Sequence, residues 1–366
     1  MENFKKQIKE AVTNISLLSA MLAIMSGIFV GFIVMLLVSP VEAFGGLTAI
    51  LFGGFANGLP GIGNVLIYAA TIILTGLSVG FAFKTGLFNI GAAGQMAAGA
   101  FFAIYVGVKW TSLGEFQWVF AVIAAIIGGA LWGLIPGLLK AFFNVHEVVA
   151  TIMMNWIAVF GAFIAYDKAD LMGGTTQNAQ KVTTNGALPS LYLDKIFDNS
   201  ALNIGIILAI VAAIIIHIVL NKTTFGYELK AVGLNKDAAK YAGINSKRNI
   251  VLSMTIAGAL AGLAAAVLYL NTNGATYRIE QNLIAEGFDG IAVALLALSS
   301  PLGAIASGLF FAYIKIGGEE LQSWGFDANL TGVITAAIVY FSALSLIFRK
   351  VAKSFVKKVF GGAKDE

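Results

Sequence analysis

The fold of this chain is decided first by the stretch from Ile15 to Val38, ISLLSAMLAIMSGIFVGFIVMLLV. It carries no charged residue and exceeds the roughly 20 apolar residues that an α-helix needs to cross a bilayer. It is also longer than the apolar core of a secretory signal, which spans about 7–15 residues. We therefore predict a first transmembrane helix that is not cleaved.

The composition extends this prediction to the whole chain. Of the 366 residues, 58% are hydrophobic and 11% are charged, whereas soluble domains are about half apolar and about a quarter charged. The 42 glycines suit closely packed membrane helices. The chain has no cysteine, so disulfides and thiolate metal sites are excluded. The net charge of +4 belongs to residues that flank apolar spans, so we expect no nucleic-acid partner.

Further apolar stretches predict an all-α polytopic membrane protein with about ten transmembrane helices, some of them short or broken. Ser299, Ser300 and Pro301 separate two of the shorter spans, which are therefore predicted half-helices. The glycine-rich segment 40–64 is assigned no crossing and could be re-entrant or interfacial. The predicted spans are 16–38, 65–83, 87–108, 118–139, 148–166, 203–220, 249–270, 287–299, 301–316 and 328–348.

The distribution of basic residues predicts the orientation of these spans. With the first end inside, seventeen of the 23 Lys and Arg residues fall in cytoplasmic segments, which is the bias that membrane insertion favours. Both ends of the chain are then predicted to be cytoplasmic. The segment 167–203 becomes an extracytoplasmic loop, and the basic segment 221–249 becomes a cytoplasmic loop.

Motifs for nucleotide binding and zinc-dependent hydrolysis are missing from the sequence. It contains no GxxxxGK[ST] phosphate loop and no HExxH. His146 and His217 are both expected near cytoplasmic helix ends, where they are interfacial polar residues and not metal ligands. We expect no catalytic residue, no metal site and no cofactor, and hence a transport subunit and not an enzyme.

Two polar stretches enter predicted membrane helices. GLFNIGAAGQ, from Gly86 to Gln95, places Asn89 and Gln95 at membrane depth. Glu147, Thr151 and Asn155 recur at every fourth residue and so share one helical face. Intramembrane polar groups often face a cavity, which makes these five residues candidates for a substrate pathway. The alternative is that they join helices, and for Glu147 that its charge complements a helix N-terminus.

The cytoplasmic segment FGYELKAVGLNKDAAKYAGI, from Phe225 to Ile244, predicts two short helices. Asn235 is expected to cap the second helix and Gly243 to end it. Small Ala and Gly residues on one side would let another protein approach closely, so this segment is a predicted docking surface. Glu228 is the predicted exposed partner for an ion pair.

A fourth stretch, EGFDGIAVALL, begins at Glu286 and opens a short apolar helix. Asp289 is flanked by glycines at this helix start. It is a candidate for substrate contact, and the alternative is that it caps the helix.

Together, GLFNIGAAGQ, NVHEVVATIMMNW, GYELKAVGLNKDAAKYAGI and EGFDGIAVALL resemble the permease subunits of bacterial ATP-binding-cassette importers. The group is the one that moves simple sugars, branched-chain amino acids and nucleosides, and the nucleoside permeases are the most similar. The resemblance runs from about Gly76 to about Tyr340. It implies the importer permease fold in a single transmembrane permease domain, 1–366, in the cell membrane.

The resemblance also implies partners. These are a cytoplasmic ATPase, a second permease subunit of a different sequence, an extracytoplasmic substrate-binding lipoprotein, membrane lipid and a nucleoside substrate. In this family the loop 221–249 carries the helices that couple to the ATPase. The implied coupling residues are Gly226, Glu228, Ala231, Gly233, Asn235, Ala238, Ala239, Ala242 and Gly243.

Other functions remain open at this point. The same machinery could import a simple sugar or a branched-chain amino acid. An ion-coupled secondary transporter would need buried acids or histidines within its spans, and few are present. A membrane enzyme would need a catalytic constellation. Transport that depends on a separate ATPase would distinguish the first reading from the other two.

Overall fold

The computed structural model describes residues 15–173, 177–198, 201–279, 282–327, 329–344, 347–348, 350–352 and 354. Within these residues the chain is helical, and its extended backbone is limited to two isolated bridges between Met172 and Ala179 and between Asn178 and Arg278. The α-helices of six or more residues are α1 Ile15–Val38, α2 Ala43–Phe52, α3 Gly58–Lys84, α4 Ala92–Lys109, α5 Gln117–Phe143, α6 Glu147–Lys168, α7 Gly205–Lys222, α8 Thr224–Leu234, α9 Lys236–Tyr241, α10 Ser246–Tyr269, α11 Ala285–Leu296, α12 Pro301–Glu319 and α13 Leu330–Ala343.

The all-α membrane fold is confirmed, and each predicted span coincides with one of these helices. Seven helical segments in the described part of the chain are long and apolar enough to cross a bilayer, among them α3 and α10. The number of crossings therefore remains a prediction. The segment 40–64 contains one helix that was not predicted, α2, which packs in part through Ala43 and Ile50.

The chain divides into two compact units. The first comprises the described residues of Met1–Ala56 and Ile314–Glu366. In it, α1 and α13 approach closely because Gly27 and Gly31 lie against Ile338 and Ile334. The second unit, Asn57–Tyr313, contains α3 to α11 and the first part of α12.

Helix α3 is the core of the second unit, and its residues are buried without interruption from Ala69 to Ala82. It packs against α10, α11 and α7. The closest helix pair is α5 with α10, where a Cβ added to Gly258 would collide with the carbonyl group of Gly129. Glycine at these crossing points lets backbones touch, as the GxxxG spacing predicts.

Two pairs of consecutive helices, α3 with α4 and α11 with α12, are separated by short non-helical breaks. The chain leaves helical geometry between α3 and α4, where Gly86 has φ +72°, and again between α11 and α12, where Leu298 and Ser299 have φ 52° and 54°. The predicted break at Ser299 to Pro301 is confirmed, and α11, with 12 residues, is as short as a half-helix. The prediction is wrong for the second side, because the segment Pro301–Trp324 is long and apolar enough to cross a bilayer. Ser307 of α12 donates a hydrogen bond of 3.0 Å to the Val293 carbonyl of α11, which also accepts the Ala297 N–H at 2.9 Å. The Ser307 bond therefore joins the two helices across the break.

The bundle has two chemically different ends. Helix α7 begins at Gly205 beside the segment 177–198 and ends at Lys222, immediately before α8. Helix α10 runs the other way, from Ser246 after α9 to Tyr269. The segment α8–α9 therefore lies at one end of these helices, and the loops 167–203 and 270–284 lie at the other.

Candidate functional site

The amide side chains of the α3–α4 break bond to one another. Asn89 and Gln95 are buried, and their amides pair at 2.9 Å and 3.2 Å. Asn89 also donates to the Ser78 hydroxyl at 3.3 Å and accepts from the Gly91 backbone N–H at 3.1 Å. The hydrogen-bonding capacity of the Asn89 amide is thus satisfied within the chain.

Asn155 joins α6 to the same break. Its Oδ1 accepts the Gly94 backbone N–H at 2.8 Å, and its Nδ2 donates to the Ile90 carbonyl at 3.0 Å. Gly94 lies in the first turn of α4, where backbone N–H groups lack helical partners, and the N-cap residue Gly91 has no side chain. Asn155 therefore supplies, from a neighbouring helix, the cap that α4 lacks.

The residues on the predicted polar face of α6 differ in their hydrogen-bond partners. Thr151 is buried like Asn155, but its hydroxyl donates to the Glu147 carbonyl of its own helix at 2.8 Å. The Glu147 carboxylate pairs with Lys140 of α5 at 2.8 Å. Glu147 and Asn155 join α6 to other segments, whereas the Thr151 hydroxyl bonds within α6. A pathway role for Asn89, Gln95, Glu147, Thr151 and Asn155 remains a prediction.

Asp289 has a different environment. It lies inside α11, whose N-cap is Ile284, so the interpretation of Asp289 as a cap is wrong. The Tyr68 hydroxyl of α3 donates to its carboxylate at 2.5 Å, and both side chains are half-buried. An ionisable residue within a membrane helix is a candidate functional residue, and substrate contact by Asp289 remains a prediction.

The first turn of α11 is seated closely on its neighbours. Thr75 of α3 donates to the Glu286 carbonyl at 2.9 Å, and a Cβ on Gly287 would lie 2.6 Å from the Ala93 Cα of α4. The glycines beside Asp289 thus allow α11 to pack closely on α3 and α4. We call Tyr68, Glu286 and Asp289 the acid–tyrosine site.

A group of three tyrosines, Tyr269, Tyr277 and Tyr166, extends from this site. The Glu286 carboxylate interacts electrostatically with the Tyr269 phenol at the end of α10. Tyr269 packs edge-on against Tyr277 at 5.2 Å, and Tyr277 stacks on Tyr166 at 5.2 Å. Burial raises the pKa of Tyr277 to about 12, so this phenol stays neutral at physiological pH. Sequence reasoning missed Tyr68 and Tyr269, because an isolated tyrosine in an apolar helix gives no periodic signal.

The two short helices predicted for the cytoplasmic segment are confirmed as α8 and α9. Thr223 caps α8 by accepting the Gly226 N–H at 3.0 Å. Asn235 caps α9 by accepting from the Asp237 and Ala238 N–H groups at 3.0 Å and 2.9 Å. Gly243 follows α9 with φ +81°, as expected for a helix stop.

Gly226, Ala231, Gly233 and Ala239 face their own chain, which corrects the predicted docking side for these four residues, whereas Ala238, Ala242 and Gly243 are exposed. A Cβ on Gly233 would lie 2.9 Å from the Gly86 backbone nitrogen, and Gly226 is packed against Leu220 of α7. Ala239 is 4% exposed in an apolar cluster with Ala82, Leu87 and Val232, against which Ala231 also packs. The small side chains seat α8 and α9 on the membrane helices.

Glu228 is also placed differently from the prediction. It is half-buried and accepts a hydrogen bond of 3.0 Å from Asn249 of α10. Its carboxylate therefore ties α8 to α10, and it is not the most exposed charge of the segment.

Large apolar side chains occupy the outer face of α8 and α9. Tyr227 is 69% exposed, Leu234 89% and Tyr241 95%. Of the predicted coupling residues, Asn235, Ala238, Ala242 and Gly243 are exposed on this side of the chain. We call Tyr227, Leu234 and Tyr241 the exposed apolar face. In the sequence, these three large side chains stand among Ala and Gly residues, and this contrast was the signal for the exposed apolar face.

The chain is similar in sequence to known transport proteins. Residues 61–343 match the family described as "Branched-chain amino acid transport system / permease component". The chain is 38% identical over 343 residues to the guanosine ABC transporter permease protein NupP of Bacillus subtilis (strain 168), covering 93% of this chain and 97% of that protein. It is 37% identical over 340 residues to the nucleoside ABC transporter permease protein NupB of Lactococcus lactis subsp. cremoris (strain MG1363), covering 89% and 90%.

A more distant relative has a different substrate in its name. The chain is 29% identical over 328 residues to the glucose ABC transporter permease protein TsgB13 of Haloferax volcanii, covering 87% of this chain and 84% of that protein. No solved structure matches the chain.

Proposed function

We propose that this chain, which belongs to the family of branched-chain amino acid transport system permease components, imports nucleosides. It is the membrane-spanning subunit of an ATP-binding-cassette transporter and not an enzyme. The observation that carries the substrate proposal is the 38% identity over 93% of the chain to a permease named for guanosine. A glucose permease is similar at 29%, so a simple sugar is the second candidate.

The acid–tyrosine site supports a polar, uncharged substrate. Carboxylates accept hydrogen bonds from hydroxyl and amino groups, which both nucleosides and sugars present. Asp289 is held at 2.5 Å from Tyr68 on a helix that begins in the membrane. A substrate hydroxyl that replaces the Tyr68 donor would meet an acceptor already in position. We assign Asp289, Glu286 and Tyr68 to the substrate path.

The exposed apolar face supports an assignment of α8 and α9 to ATPase coupling. Large apolar residues at 89% and 95% exposure are typical of a surface that a partner covers. The chain carries no phosphate loop, so ATP hydrolysis must come from a partner. The remaining partners in this proposal are a second permease of different sequence and an extracytoplasmic substrate-binding lipoprotein.

The orientation follows from the same assignment. If α8 and α9 contact a cytoplasmic ATPase, then 221–249 is cytoplasmic, 167–203 is extracytoplasmic, and both ends of the chain are cytoplasmic. The basic residues of 221–249, among them Lys236, Lys240 and Lys247, agree with this orientation.

Uptake in whole cells tests the substrate. Cells that lack other nucleoside importers and express the complete transporter should accumulate labelled guanosine and uridine, each inhibiting the other. Unlabelled ribose, glucose and leucine should not inhibit. Uptake of glucose or leucine that nucleosides leave unchanged would show that the substrate class is wrong.

A further inference from the structure

A cavity of 470 Å³ lies at the end of the bundle opposite α8 and α9. This volume is within the range of about 300–1,000 Å³ that small-molecule sites occupy. The lining is polar, with amides from Asn185, Asn203, Asn271 and Asn273 and carboxylates from Glu115 and Asp194. No Lys or Arg lines it within the described residues, so its chemistry favours a neutral ligand over an anion.

Backbone hydrogen bonds between separate segments form the cavity wall. The Trp118 N–H bonds to the Asn185 carbonyl at 3.0 Å, and the Leu188 N–H to the Leu270 carbonyl at 2.8 Å. Asn271 donates from its side chain to the Ala201 carbonyl at 2.7 Å. Because three chain segments are joined in this way, the site is formed before a ligand binds, which lowers the entropic cost of binding.

Two polar atoms of the lining residues are unpartnered in the described structure. Asn203 is 4% exposed; its Oδ1 accepts the Gly205 N–H at 2.7 Å, while its Nδ2 has no hydrogen-bond partner. The Oδ1 of Asp194 has none either. A buried polar atom without a partner costs about 1–3 kcal/mol, so a donor and an acceptor remain in one cavity to be satisfied.

We propose that this cavity binds a nucleoside at the extracytoplasmic end of the permease, before the substrate reaches the acid–tyrosine site. The ribose hydroxyls both donate and accept, so they can supply the donor that Asp194 Oδ1 lacks and the acceptor that Asn203 Nδ2 lacks. Trp118 adds an aromatic lining residue, which is a surface on which a base can stack. The proposal rests on nucleoside import, and it adds a binding site that neither the family nor the relatives' names assign.

The position of the cavity suits a stage on the transport route. Asn271 lines it and lies two residues beyond Tyr269, whose phenol interacts with Glu286 of the acid–tyrosine site. The chain segment from Tyr269 to Asn271 therefore connects the cavity with the acid–tyrosine site, which we assign to the substrate path.

Binding of tritiated guanosine to the purified permease–ATPase complex, without the substrate-binding protein, tests this site. Asp194→Asn removes the charged acceptor without changing shape. Asn203→Asp keeps the acceptor for the Gly205 N–H and removes the Nδ2 donor. Each variant should weaken binding about tenfold, as expected for a hydrogen bond to a charged or buried group. Asp198→Asn, an exposed acid of the same loop that does not line the cavity, should bind as the wild type does.

Nucleoside analogues test whether the ribose hydroxyls contact Asp194. In the wild type, 2′,3′-dideoxyguanosine should bind about tenfold more weakly than guanosine, and Asp194→Asn should largely abolish that difference. Guanosine monophosphate should compete poorly, because the lining carries two acids and no described base.

Other outcomes contradict the proposal in distinguishable ways. If the wild type imports nucleosides but both variants bind guanosine as tightly as it does, the cavity is not the site and nucleoside import stands. If the variants keep guanosine binding but no longer retain the substrate-binding protein, the cavity receives that protein instead. If the wild type neither binds guanosine nor imports it, nucleoside import fails together with this site.

Discussion

At the residue scale, the polar side chains of the bundle differ in whether the chain itself uses their hydrogen bonds. The Asn89 and Asn155 amides are fully engaged in helix joining, whereas Asp289 is half-buried with a tyrosine donor. The sequence could predict that these residues lie at membrane depth, because helical periodicity gives the face. It could not predict their partners, since Tyr68 lies 221 positions away from Asp289.

We predict that Asp289→Asn and Tyr68→Phe each reduce nucleoside uptake by roughly tenfold, because the first removes a charged acceptor and the second a hydroxyl donor from the path. The transporter should remain assembled in the membrane. Tyr192→Phe, at an exposed tyrosine of the loop 167–203, is the matched control. Unchanged initial uptake rates in both path variants would remove the acid–tyrosine site from the route.

We predict that Asn155→Leu acts on stability. The substitution leaves the Gly94 N–H and the Ile90 carbonyl without their partner, at about 1–3 kcal/mol for each group. Thermal unfolding of the purified complex should shift to lower temperature by several degrees, while Asn221→Leu at an exposed position should not shift it. If Asn155→Leu keeps wild-type stability but stops transport, Asn155 lines the path, as the alternative interpretation holds.

At the element scale, local and long-range features were predicted with different success. The caps of α8 and α9 and the helix break before Pro301 depend on nearby residues, and the sequence contains what is needed to place them. Which side of α8 and α9 faces outward depends on tertiary packing, since Gly233 lies against the distant Gly86. Small residues predicted a close contact correctly, but its partner is the same chain.

This placement changes the expected effect of mutations in α8 and α9. We predict that Leu234→Asp and Tyr241→Asp leave membrane insertion normal and weaken ATPase association roughly tenfold or more, because they put charge into an apolar contact. Gly233→Trp and Ala239→Trp should instead lower the amount of folded permease, because their surroundings are filled by the chain itself. Pull-down of the ATPase, normalised to folded permease, separates the two effects. Normal retention of the ATPase by both Asp variants would exclude the exposed apolar face as the coupling surface.

At the scale of the whole molecule, membrane character and family could be predicted from composition and motif order, and both are confirmed. The number of crossings is harder to predict, because helices such as α11, with 12 residues, are shorter than a bilayer requires. Short helices of this kind are also bonded to their neighbours, as the Ser307 hydroxyl of α12 is to the Val293 carbonyl of α11.

We predict the orientation of the molecule from its basic residues. The chain has no cysteine, so single substitutions report their own position. Asp198→Cys should react with a membrane-impermeant maleimide in intact cells, and Lys240→Cys should react only after the membrane is opened. Labelling of Lys240→Cys from outside would invert the orientation and remove α8 and α9 from contact with a cytoplasmic ATPase.

The central claim is that this chain forms a nucleoside path driven by a separate ATPase. The most direct measurement is uptake of tritiated guanosine into proteoliposomes that contain the purified complete transporter, with the substrate-binding protein outside and ATP enclosed. The account predicts accumulation that requires ATP and is lost when the ATPase subunit is catalytically inactive. Guanosine accumulation that proceeds without ATP and follows an imposed ion gradient would contradict it.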